Sequence, residues 1–186
     1  MKWKVTGIAL VSTFLIGLAL APPALASSVH LKGGSHAEPS FFDGGLTLSA
    51  SGELSGLGFE DVLVKLTAVG NPTATCTNPG SDTHEPPGQN PAPITVTGSE
   101  PIPKSEIKNG NTPFAVTTQS PTTPVPGAPD CSNPNWIEDI TDMAFTSATI
   151  TVEQPPGTVV LTVSCTFSSP TSDGSVPSSG VTCTSS

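Results

Sequence analysis

The chain has 186 residues, 6 Lys+Arg against 15 Asp+Glu, a formal net charge of −9 and a mean hydropathy of +0.04. All its cations outside histidine are lysines, and so few of them cannot neutralise a phosphate backbone, which excludes nucleic acid and disfavours anionic membrane surfaces as partners. The acidity is a device for solubility.

Lys2 and Lys4 precede an apolar run over 7–21, and Pro22-Pro23 leads into the small-residue site Ala24, Leu25, Ala26. Residues 1–26 therefore read as an export signal cleaved after Ala26. The apolar run falls short of the ~20 residues a spanning helix needs, so a membrane anchor is the weaker reading. Cleavage removes two lysines and no acid. Residues 27–186 are then one domain, expected to be secreted or extracellular, with no transmembrane segment after signal removal.

Residues 27–45 carry His30, His36, Glu38 and the pair Phe41-Phe42, expected as a solvated arm stapled to the fold by the phenylalanines. Leu46, Leu48 and Ala50 alternate with Thr47, Ser49 and Ser51, which predicts a strand ended by Gly52, with 53–59 as the connection. Val62, Val64, Leu66 and Ala68 predict a strand with one buried side. Gly70, Asn71 and Pro72 break that ladder before Ala74 and Cys76 resume it, so a bulge or bend is expected. Five prolines make 78–93 a loop. Ile94 and Val96 give a short strand, and residues 101–108 and 114–118 are expected to pair as an edge hairpin around Asn109-Gly110-Asn111. Residues 119–135, again with five prolines, form a second long surface loop.

Residues 133–145 fit two patterns. Trp136, Ile137, Ile140, Met143 and Ala144 have helical spacing behind Asn133 and Pro134, whereas an irregular strand suits the helix-poor remainder of the chain and is the preferred reading. Then comes the most regular stretch, 146–167. Ala148, Ile150 and Val152 alternate with polar residues, and beyond the Pro155-Pro156-Gly157 turn Val159, Leu161, Val163, Cys165 and Phe167 share a face. A lone hairpin is unstable, so this one requires a partner sheet. Residues 168–180 are a loop and 181–184 a terminal strand. Seven or eight short strands without a convincing long helix predict an all-β antiparallel sandwich, immunoglobulin-like, with long Pro/Gly-rich loops; a barrel is the alternative.

Cys76, Cys131, Cys165 and Cys183 are an even set in a chain bound for an oxidising compartment, which implies two disulfides. Each of the two least core-like excursions is bracketed by cysteines, favouring Cys76 with Cys131 and Cys165 with Cys183. The rival is Cys76 with Cys165, both on inward faces, as in a bridge between sheets. Zinc is disfavoured because no CxxC or HxxxH spacing occurs.

No nucleophile elbow, HExxH helix, phosphate loop or EF-hand loop is present, and no cofactor is expected. A hydrolytic site would have to draw on His84 with carboxylates such as Glu60-Asp61 or Glu138, Asp139 and Asp142. The latter three also offer oxygens to calcium, but such a cluster is unspecific. Trp136 is better read as a packing residue than as a carbohydrate platform.

LKGG at 31–34, FFDGGLTLSASG at 41–52, CTNPG at 76–80, PGQNPAP at 87–93, IKNG at 107–110, PDCSNPNW at 129–136 and FTSATITV at 145–152 together resemble small exported bacterial proteins without an assigned activity. The resemblance covers nearly all of 27–186; it implies export and transfers no catalytic residue. The expected function is that of an exported, non-catalytic binding or cell-envelope-associated module. Its partner would be an unknown protein or envelope component, met through loops 78–93 and 119–135. A secreted hydrolase is the alternative.

Overall fold

The computed structural model describes residues 29–33, 37–78, 80, 84–85, 92–122, 131 and 133–186. Eleven strands follow in chain order: β1 (His30–Leu31), β2 (Ser40–Asp43), β3 (Leu48–Ser55), β4 (Val62–Thr77), β5 (His84–Glu85), β6 (Ile94–Ile102), β7 (Thr112–Thr117), β8 (Ile137–Glu153), β9 (Val159–Phe167), β10 (Gly174–Ser175) and β11 (Val181–Ser185). Among the described residues the only helical turns are short 3-10 pieces at Lys104–Glu106 and Ser178–Gly180. The export signal assigned to 1–26 lies outside the described residues.

The strands form two antiparallel sheets. In the first, β3 pairs β7 along one edge and β2 and β1 along the other, with β10 outside β2. In the second the order is β11, β9, β8, β4, and the far edge of β4 carries β6 and β5. Alternation supplies the inward faces. Leu48, Ala50, Leu54, Phe114 and Val116 of the first sheet join Val62, Val64, Leu66, Ala68, Ile150, Val152, Leu161 and Val163 of the second in one buried cluster. An edge-to-face contact of Phe41 with Phe167, ring centroids 5.2 Å apart, ties β2 to β9.

Several elements differ from the sequence reading for identifiable reasons. The arm is partly structured: β1 and β2 add to the edge of β3, burying Phe41 at 3% exposure and leaving Phe42 at 52%. Adjacent residues of a strand face opposite ways, so only one of the pair can staple. Gly52 does not end β3. It lies opposite Phe114, whose ring occupies the room a Cβ would fill, 2.9 Å from Phe114 Cε1.

The hairpin expected over 101–118 is also corrected. The Asn109-Gly110 turn is present, with positive φ at both residues, but it closes a single bridge between Lys108 and Asn111. Beyond it the chain changes sheets: β6 pairs β4 over nine positions, and β7 pairs β3 so that Phe114 and Val116 reach the core. The two strands meet again at a seam between the sheets. There the Gln119 amide donates to the Thr97 carbonyl at 2.8 Å, and a Cβ on Gly98 would fall 1.9 Å from the Thr117 carbonyl oxygen.

β4 runs through Gly70 and Pro72 because β8 bulges beside it. Register shifts between Val69 and Gly70 and between Thr73 and Ala74 leave Thr146 and Thr141 without opposite residues. Their hydroxyls donate to the carbonyls of Val69 at 3.2 Å and Thr73 at 3.3 Å, so each extra residue turns back onto the ladder it interrupts. A third irregularity at Val160 accompanies the departure of Val159 from the expected inward set: Val159 is 56% exposed.

The disulfides join Cys76 to Cys131 and Cys165 to Cys183. Cys165 and Cys183 are directly opposite on β9 and β11, with Cα atoms 4.1 Å apart, so this bond staples the edge strand.

Candidate functional site

The connection between β3 and β4, Gly56 to Asp61, is anchored almost residue by residue. Upstream, Ser55 Oγ donates to Asn111 Oδ1 at 2.6 Å; the Leu57 amide donates to the Gly110 carbonyl at 3.1 Å, and the Leu57 side chain is buried. Gly58 and Glu60 are held from the opposite side by Gln154. Its Oε1 accepts the Gly58 amide at 2.8 Å, while Nε2 donates to the carbonyls of Gly58 at 3.2 Å and Glu60 at 2.8 Å. Finally Asp61 Oδ1 accepts the Lys104 amide at 2.9 Å.

Between these anchors stands Phe59, 95% exposed. No other large apolar side chain among the described residues reaches such exposure; Phe42, Ile137 and Val159 follow at 52% to 56%. Single exposed apolar residues are common, but this one sits on backbone fixed from two directions.

Gln154 can act as a clamp because it is itself buried, together with its neighbour Glu153. Successive residues of extended chain point to opposite sides, and Glu153, the last residue of β8, and Gln154, the first beyond it, use both. Glu153 pairs with the Lys65 ammonium across the β4 to β8 ladder, and its Oε2 accepts the Gly157 amide at 2.7 Å, fixing the turn of the next hairpin. The Lys65 and Gly157 hydrogen bonds hold the Glu153 carboxyl below its ordinary range, outweighing desolvation. One end of the sandwich is thus built as a rigid platform.

A second polar assembly lies where β2, β8 and the segment between β9 and β11 converge. Asp43, 1% exposed, accepts the Gly45 amide at 2.9 Å and the Thr171 hydroxyl at 2.5 Å. Thr171 in turn accepts the Phe145 amide at 2.8 Å and donates its own amide to the Phe145 carbonyl at 2.9 Å. Burial raises the Asp43 pKa, the two hydrogen bonds oppose that, and the charges of Asp142 and Asp173 add to the rise. Beside it is a cup of about 440 Å³ lined by hydroxyls including Ser168, Thr171, Ser172 and Ser175. Asp43 is engaged in joining three elements and is not presented to that cup as a free base.

No protein-family model, curated protein or solved structure matches the chain significantly.

The residues singled out in the sequence are dispersed. His84 lies on β5 opposite Thr77, and its side chain is outside the described residues. Glu138 is buried whereas Asp139 and Asp142 are half-buried, and Asp142 stands near Asp43. Among the described residues no three His, Cys, Asp or Glu side chains gather as a group able to hold a metal ion. Glu38 accepts the Cys183 amide at 3.3 Å, which places it on the edge of β11. Trp136 is half-buried beside the turn closed by its amide on the Asn133 carbonyl at 3.0 Å. Most of loops 78–93 and 119–135 lies outside the described residues. Phe59 and Gln154 escaped notice in the sequence; the available signal was an isolated aromatic in the Gly-rich run 56–60, followed by two acids.

Proposed function

We propose that this chain is an exported, non-catalytic binding or cell-envelope-associated module of bacterial origin, released after removal of residues 1–26. Its architecture is read as immunoglobulin-like with long Pro/Gly-rich loops, though its disulfides do not bridge the sheets at Cys76 and Cys165. The observation that carries the reading is the presentation of Phe59 at 95% exposure on a loop pinned by Gln154, Gly110 and Lys104. Binding modules place recognition residues on loops held by a rigid scaffold. Two disulfides suit an oxidising compartment, which supports export. No helix among the described residues is long and apolar enough to cross a membrane.

The purified protein is expected to turn over no substrate on peptide, ester and glycoside panels, and to bind a protein or other component of its own envelope. Reproducible hydrolysis abolished by His84→Ala would replace this reading with that of a secreted hydrolase.

A further inference from the structure

Phe59 offers a large apolar surface on backbone that is already ordered. Aromatic anchors of this kind carry a disproportionate share of interface energy, and a fixed loop loses little freedom on association. The ring is convex and solitary, so it calls for a concave apolar socket. Glu60 and Asp61, both exposed, follow it directly, and Lys104 gives Asp61 its backbone amide rather than its ammonium.

Three occupants are conceivable, and the charge separates them. A second copy, with residues 1–26 removed, would bring the same fifteen Asp and Glu against only four Lys. Its cup at Thr171 sets the Asp173 carboxylate and serine hydroxyls beside Phe167, Pro170, Val176 and Pro177, with no cation to meet Glu60 and Asp61, and in its groove of about 450 Å³ along the Gly98 seam the cation, Lys65, is already paired with Glu153. An anionic bilayer repels the two carboxylates beside the ring. A different protein with cations around an apolar socket answers both features at once.

Resting on the binding role above, we propose that Phe59 is the anchor by which this module enters an apolar socket on another protein, whose rim carries lysine or arginine opposite Glu60 and Asp61. The test replaces Phe59 by photoreactive p-benzoylphenylalanine in the full chain within the producing organism, with the same residue at exposed Thr95 as control. The expected result is one protein cross-linked at position 59 only, the linked peptide being apolar and flanked by Lys or Arg. That protein, once purified, should bind Phe59→Ala about tenfold or more weakly than wild type. Glu60→Gln with Asp61→Asn should slow association and flatten its salt dependence. Melting of Phe59→Ala should match wild type, since the removed ring packs on little.

Cross-links to lipid, to another copy or to nothing beyond the Thr95 control would overturn the proposal. So would a fluorescence blue shift of Phe59→Trp with vesicles of phosphatidylcholine and phosphatidylglycerol. A partner that binds wild type and Phe59→Ala equally would overturn the anchor while leaving the binding role intact. Hydrolytic turnover without any partner would end both.

Discussion

Gln154 grips Gly58 from both directions: Oε1 accepts the Gly58 amide at 2.8 Å and Nε2 donates to the Gly58 carbonyl at 3.2 Å. The two residues are 96 positions apart, so the loop joining the two sheets takes its shape from the first residue beyond β8. Gln154→Ala would strand three backbone groups at once. The expected cost is about 1 to 3 kcal/mol, limited by water reaching the opened loop. Urea melts measure it, and hydrogen exchange at the Gly58 amide should accelerate in the same variant.

The face assignment of β9 is tested by two neighbours. Leu161 is 3% exposed in the core, whereas Thr162 faces away and pairs only its backbone with Ser186. Leu161→Ala should cost ~2 to 5 kcal/mol and Thr162→Ala no more than about 1. Equal small losses in denaturant melts would contradict the inward orientation.

Each disulfide limits a different stretch of unfolded chain. Cys76 and Cys131 are separated by 55 positions and Cys165 and Cys183 by 18. In the chain-entropy account, paired Cys→Ala replacement should cost about 4 kcal/mol for the first and about 3 kcal/mol for the second. Losing the second should also fray β11, visible as faster exchange at Thr182 and Thr184. Non-reducing peptide mapping checks the pairing itself.

Asp43 and Glu153 make opposite contributions to the pH profile. The Asp43 pKa is raised on folding from its ordinary 3.8, so its charge penalty is full above the folded value and is relieved as pH falls through it. The Glu153 pKa is lowered from its ordinary 4.5, so its stabilisation is full above that figure and is lost as pH falls through the folded value. Relative to wild type, Asp43→Asn should therefore fare best at neutral pH and lose that advantage on acidification. Glu153→Gln should be most costly at neutral pH. Thermal melts of both variants from neutral pH to below pH ~4 measure the two slopes.

The alternation in Val62, Val64, Leu66 and Ala68 was legible because each residue keeps a simple period of two against β6 and β8. Residues 137–145 were not legible as plainly. Glu138, Ile140, Met143, Phe145, Ala148, Ile150 and Val152 are buried, and the steps between them alternate two and three before settling at two. Bulges at Thr141 and Thr146 insert the extra residues, and such a rhythm imitates a helical stripe until the partner strand is known. The separation of β6 from β7 was hidden for a related reason. Asn109-Gly110 announces a tight turn, but nothing local shows that nine residues of β6 will pair with β4 instead. Phe59 itself was in plain view, whereas its presentation depends on Gln154, and long-range contacts of single side chains leave no periodic trace.

Position 59 makes few demands of its own on the fold. Its neighbours are held through the amides and carbonyls of residues 57, 58 and 60, none of which involves the ring. Exchanging the residue at 59 therefore alters what the tip can recognise without drawing on the stability of the core. Descendants of this chain can retarget by point mutation, and a library randomised at that one codon should remain folded across most of its members.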